Sequence, residues 1–183
     1  PVSERLTDIG VNLLNGQFDH DREAVVERAR AAGVTRMLIT CTSLAESRLG
    51  SEFCRANPEG FWCTAGVHPH NAKEVGPGWL DELAMLASEP CVRAVGETGL
   101  DFNRNFSAPE QQLEVFAAQL ALAAMAGKPV FVHDRDSDGK VFELLSKHRG
   151  ELAGVVVHCF TGTARDLQRY LEAGFYIGIT GWV

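Results

Sequence analysis

The chain has 183 residues, 45% of them hydrophobic and 22% charged, the balance of a folded globular domain and not of a disordered one. Twenty-four acidic residues against 17 basic ones leave a net charge of -7, which excludes a broadly basic surface that coats nucleic acid. It leaves room for a phosphate held locally through bound metal ions.

No run approaches the roughly 18 uninterrupted apolar residues of a membrane helix, so no membrane span is expected. The five cysteines, Cys41, Cys54, Cys63, Cys91 and Cys159, are odd in number and lack CxxC spacing, which argues against a disulfide framework. The opening segment, Pro1 to Gly10, has no charged stretch followed by an apolar one, and a reducing, cytoplasmic setting is the expectation.

In chain order, short β-branched or aromatic runs predict strands at Leu6 to Val11, Arg36 to Cys41, Phe61 to Val67, Val92 to Gly96, Pro129 to His133, Gly154 to His158 and Phe175 to Thr180. Helical segments lie between them. Asp21 to Ala32 begins with acids, carries bases toward its end and stops at Gly33. Ser107 reads as the N-cap of a helix running to about Ala126, with Pro109 near its first turn and Leu113, Phe116, Ala117, Leu120 and Ala124 as a core-facing stripe. Asp138 to His148 and Thr163 to Ala173 repeat the pattern, closed by Gly150 and Gly174. Unbroken alternation of strand and helix predicts a single domain over 1–183 with a parallel sheet, either closed as a barrel or open and doubly wound. No GxGxxG or GxxxxGK[ST] follows a strand, which disfavours nucleotide cradles of those kinds.

Polar residues gather just after predicted strands, the face on which parallel α/β folds bind ligands. Asn12 follows the first strand, His68 and His70 the third, Glu97 and Asp101 the fourth, His133 and Arg135 the fifth, and His158 the sixth. Imidazoles and a carboxylate converging from separate strands suit a divalent metal, and Glu97, flanked by Gly96 and Gly99, is placed to bridge ions. Arg104 and Arg135 read equally as a phosphate clamp or as neutralisers of nearby acids. His148 reads as a solvated helix end and His20 as a helix-entry residue, and Cys159 is a weaker candidate nucleophile with no general base assigned to it.

The segments DIGVNL, TAGVHPH, GETGLDFNRNF, VFVHDRDS, VVHCFTGT and YIGITGWV, in that order, resemble the TatD-like metal-dependent deoxyribonucleases across almost the whole chain. The resemblance implies a TIM-type (β/α)8 barrel, here ending before the eighth strand, and a 3'-5' exonuclease acting on ends of single-stranded DNA, with RNA as a second candidate. It implies catalytic roles for Glu97 and His68, with Glu97 shared between metals and His68 contacting phosphate or water. His133 and His158 would be ligands of one ion, and Asn12, His70, Asn103 and Arg135 substrate contacts.

Many relatives carry a His-x-His pair where this chain has Gly10-Val11-Asn12, which shifts the expected ion toward magnesium, with manganese and zinc as alternatives. The family's eighth strand bears an Asp that assists the attacking water, and none is present by Val183. The first and seventh strands are therefore expected as unclosed edges open to association with another copy. Two rival readings use the same residues: a metal hydrolase of another ester or amide, and an inactive truncated barrel serving as an interaction module.

Overall fold

The computed structural model describes residues 5–181. The last two residues of the YIGITGWV segment, Trp182 and Val183, and the first four of the chain lie outside them.

Seven parallel strands pair in chain order. They are β1 (Leu6–Val11), β2 (Val34–Ile39), β3 (Phe61–Ala65), β4 (Val92–Asp101), β5 (Val130–Arg135), β6 (Val155–His158) and β7 (Tyr176–Ile177). The helices between them are α1 (Arg22–Ala31), α2 (Leu44–Ala56), α3 (Trp79–Ser88), α4 (Pro109–Ala126), α5 (Lys140–Lys147) and α6 (Ala164–Glu172). Sequential order with a helix in each crossover is the arrangement of a (β/α) barrel and not of a doubly wound sheet, whose strand order reverses. Among the described residues, no helix is long and apolar enough to cross a membrane.

Helix starts follow local hydrogen bonding. The Ser43 hydroxyl accepts from Glu46 N at 3.2 Å to begin α2, and Thr163 and Asp166 satisfy each other's backbone N–H groups to begin α6. At α4 the expected cap is displaced by one residue. Ala108 is the N-cap, its N–H donating to Gln111 Oε1, while the Ser107 hydroxyl turns away to donate to His70 O and accept from Lys73 N. The helix ends where Gly127 takes a left-handed conformation with φ 61°.

Ile39, Val95, Phe116, Leu120, Val130, Val132, Leu145 and Tyr170 are all at most 2% exposed, which places the core between the sheet and its helices. The second, third and fifth strands differ from expectation by two residues at one or both ends, and two strands change more. β7 forms ladder bonds only at Tyr176 and Ile177, short of the expected run to Thr180. β4 continues five residues beyond Gly96, because its glycines admit close backbone approach and do not end the strand. A Cβ at Gly96 would stand 2.2 Å from Phe131 O, and one at Gly99 1.9 Å from His133 O. Only glycine fits there.

Candidate metal centre

Glu97 therefore lies inside β4 and not after it. The β4–β5 register shifts between Gly96 and Thr98, so Glu97 is an extra residue in the ladder, the kind of irregularity that re-aims a side chain beside a site. Its N–H leaves the neighbouring strand and donates to Cys41 O at 2.8 Å, and His68 N donates to Thr42 O at 2.8 Å. The carbonyls of two successive residues between β2 and α2 thus pin the backbones of two site residues.

His68, Glu97 and His133, each about 7–8% exposed, place one potential ligand atom apiece within 4.8 Å of the others. Glu97 Oε1 lies 3.2 Å from His133 Nδ1 and 3.7 Å from His68 Nε2. On the other side of His133, His158 is its direct partner in the β5–β6 ladder and lies tilted against Phe131. Burial pushes the His68 imidazole down to about 3 against the attraction of Glu97, so it presents a neutral nitrogen. Burial alone would raise the Glu97 carboxyl. The hydrogen bond with His133, together with the electrostatic attraction of the surrounding imidazoles, outweighs it and holds the group below the ordinary carboxylate range. An ionised carboxylate beside neutral imidazole nitrogen is the donor chemistry of a divalent cation, so the residues present fit one.

Asp101 stood among the strand-end residues in the sequence without a role, and the structure makes it an orienting group. It is fully buried, with Oδ2 2.7 Å from His70 Nε2 and 3.3 Å from His133 Nε2. Its Oδ1 accepts from the N–H groups of Asn103 and Arg104. A carboxylate on the far nitrogen of a candidate ligand fixes that ring's orientation. The signal was available in the four-residue spacing of Glu97 and Asp101, an even separation that regular strand alternation brings to one face.

A cleft of about 370 Å³ over these groups is lined by Asn12, His68, His70, Glu97, His133 and His158, together with Arg104 and Cys159. Six of the eight expected site residues thus meet. Asn103 and Arg135 are outside this lining, and the Asn103 amide donates instead to Asp136 Oδ2 at 2.7 Å. Cys159 places its Sγ 3.1 Å from the Thr180 hydroxyl. His20 and His148 face Asp21 and Glu151 on helix ends, as their surroundings in the sequence suggested. A larger hollow of about 1130 Å³ lies between α1 and the end of α2, but Asp19, Arg22, Glu27 and Arg30 give it an ordinary charged helix surface, with Arg22 already paired to Asp19.

A parallel βα sheet of barrel order, with imidazoles and carboxylates converging at its C-terminal edge, defines a barrel-type protein with a candidate divalent-metal centre. The chain belongs to the TatD related DNase family, whose model matches residues 7–183. Among similar proteins, the 3'-5' ssDNA/RNA exonuclease TatD of Pectobacterium atrosepticum is 49% identical over 176 residues, covering 96% of this chain and 68% of the relative. The protein of the same name from Cronobacter turicensis is 52% identical over 180 residues, covering 96% and 66%. A crystal structure of a TatD family hydrolase from Entamoeba histolytica superposes with a TM-score of 0.88 at 30% identity, covering 97% of this chain and 65% of that one. A TatD homologue from Escherichia coli superposes at 0.85 and 28% identity, covering 94% and 67%. The chain thus spans about two thirds of the length of the relatives it matches.

Proposed function

We propose that this protein is a metal-dependent phosphodiester hydrolase that removes nucleotides from the 3' end of single-stranded DNA, with RNA as a second substrate. The names carried by relatives at about half identity support the reaction and the substrate. The observation that carries the reading on this chain is the buried Glu97 carboxylate between His68 and His133. The barrel order of the single sheet supports one domain over the chain.

In this reading Glu97 is shared between two flanks. His133 and His158 hold a cation on one side, and His68 faces the same carboxylate from the other, where it contacts phosphate or water. Asp101 holds the His70 and His133 rings in place. Magnesium is the proposed ion, supported by the oxygen donor Asn12 at the end of β1, with manganese as a substitute. When bound, the ion supplies charge stabilisation for the phosphoryl group and a more acidic water. Arg104 on the cleft wall offers the phosphate a fixed positive charge, which matters in a chain of net charge -7. Asn12 and His70 contact the strand inside the cleft, and Asn103 and Arg135 contact it only beyond the cleft. Five cysteines without a disulfide among them support a cytoplasmic setting.

The test is hydrolysis of a 5'-labelled single-stranded oligonucleotide with and without magnesium, beside Glu97→Ala. A magnesium-dependent ladder in the wild type that the variant lacks is expected. An equal ladder in Glu97→Ala would remove Glu97 from the chemistry. Turnover of simple esters or amides in place of either nucleic acid would favour the rival hydrolase.

A further inference from the structure

Three phenylalanines, Phe102, Phe106 and Phe160, lie on the segments that follow β4 and β6, and the structure separates them. Phe102 and Phe160 pack against the hydrophobic core, whereas Phe106 is 56% exposed. Its ring meets His70 edge to face with centroids 4.7 Å apart. The contact continues inward as a row of rings, His70 to His68 at 4.3 Å and His68 to His133 at 4.6 Å. Phe106 is therefore the solvent-facing end of an aromatic series that begins beside Glu97.

The backbone that presents this ring is fixed on both sides. Asp101 Oδ1 accepts from Asn103 N and Arg104 N, at 3.2 and 2.9 Å. Asn105 adopts the left-handed region at φ 49°, and its amide donates to Phe102 O at 2.6 Å. Ser107, 2% exposed, donates to His70 O at 2.9 Å and accepts from Lys73 N at 3.0 Å. An exposed aromatic ring costs solvation, and one held beside a polar cleft by five such bonds is positioned for a flat apolar partner. Among groups that accompany a phosphodiester, the nucleobase has that shape.

We propose that Phe106 is the stacking platform for a base of the bound single strand, on a nucleotide neighbouring the phosphate that reaches Glu97 and His133. The inference rests on the nuclease reading and adds the surface by which that site grips a strand without reading its sequence, since every base offers a π face. Arg104, two residues earlier and lining the cleft, holds the backbone of the same strand.

The experiment compares the full chain with Phe106→Ala, Phe106→Leu and Phe106→Trp. It measures the Kd for a phosphorothioate oligothymidylate in magnesium by anisotropy, and KM and kcat on the cleavable strand. Loss of a base stack is expected to raise Kd and KM about tenfold in the Ala and Leu variants while kcat is retained, with Trp at or below the wild-type value. An abasic residue scanned along the strand should produce the same loss at one position, where Phe106→Ala adds nothing further. Leu keeps most of the side-chain volume, so its loss separates stacking from packing, and unchanged melting of the variants shows that the fold is intact. Wild-type affinity in Phe106→Ala or Phe106→Leu, with the wild type binding and cutting the strand, overturns the platform alone. A wild type that neither binds nor cuts single strands overturns the nuclease reading and the platform with it.

Discussion

Two glutamines on α4 do for the backbone of the site what Asp101 does for its imidazoles. Gln119 is fully buried, its Oε1 accepting from Val67 N at 2.8 Å and its Nε2 donating to Val67 O at 3.0 Å and to the Thr98 hydroxyl at 2.7 Å. Gln112, one heptad earlier, pairs in the same way with Asp101 N and O. Val67 precedes His68, so the amide of Gln119 ties a helix on the outside of the sheet to the residue that faces Glu97. Gln119→Met keeps the length and removes the hydrogen bonds, leaving the Val67 N–H and C=O without a partner inside the protein. Each buried group left unpaired costs about 1–3 kcal/mol, and a total loss near 3 kcal/mol is expected from urea unfolding. A loss under about 1 kcal/mol would mean that the segment finds other partners. The apolar stripe of α4 was legible from Leu113, Phe116 and Leu120, yet the two glutamines beside it were not read. A polar residue on a buried helix face declares its importance only once its partner is known, and here both partners are backbone groups distant in sequence.

Elements were legible where local chemistry alone decides them. β1 falls at Leu6 to Val11 as expected, and α6 matches to within one residue at each end because Thr163 and Asp166 form a closed cap. Removing that cap with Thr163→Ala is expected to cost about 1 kcal/mol, measured by chemical denaturation at neutral pH. The Thr163 hydroxyl and N–H hold the Asp166 carboxyl below its ordinary value. A carboxyl lowered in the folded state stabilises fully above its unfolded pKa, near 4, and loses that contribution as pH falls through the lower folded value. Wild type and Asp166→Ala should therefore differ at pH 7 and converge toward pH 3. A difference that persists in acid would assign the effect to helix propensity and not to the charge. β4 was legible only to Gly96, since glycine ordinarily weakens a strand. What extends it is the Phe131 and His133 carbonyls lying too close for any side chain, a fact that belongs to β5 and not to the segment itself. The same long-range cause hid the bulge at Glu97, so the sequence identified the residue while the pinning by Cys41 O emerged only in three dimensions.

At the scale of the whole molecule, β3 to β6 and the segments after them bring two buried carboxylates, Glu97 and Asp101, among four imidazoles at one cleft. Charges in that position depend on one another, and removing one partner from such a set is costly. A divalent cation held there binds the folded chain and has no equivalent site in the unfolded one, so binding must raise stability. At a free concentration one hundred times its Kd the gain is about 2.7 kcal/mol. For a domain of this size, each kcal/mol moves the midpoint by roughly 2–4 °C, which makes the expected rise about 5–10 °C between chelator and saturating magnesium or manganese. The increment, not the absolute melting temperature, is the diagnostic quantity. Glu97→Gln removes a buried charge and can melt higher than the wild type without metal, while His133→Ala opens a cavity and should melt lower. Both should lose the metal-dependent increment, whereas Asn103→Ala, outside the cleft, should keep it. A wild-type midpoint indifferent to every divalent ion would exclude tight binding at this cleft, and a rise that survives in both Glu97→Gln and His133→Ala would place the ion elsewhere in the fold.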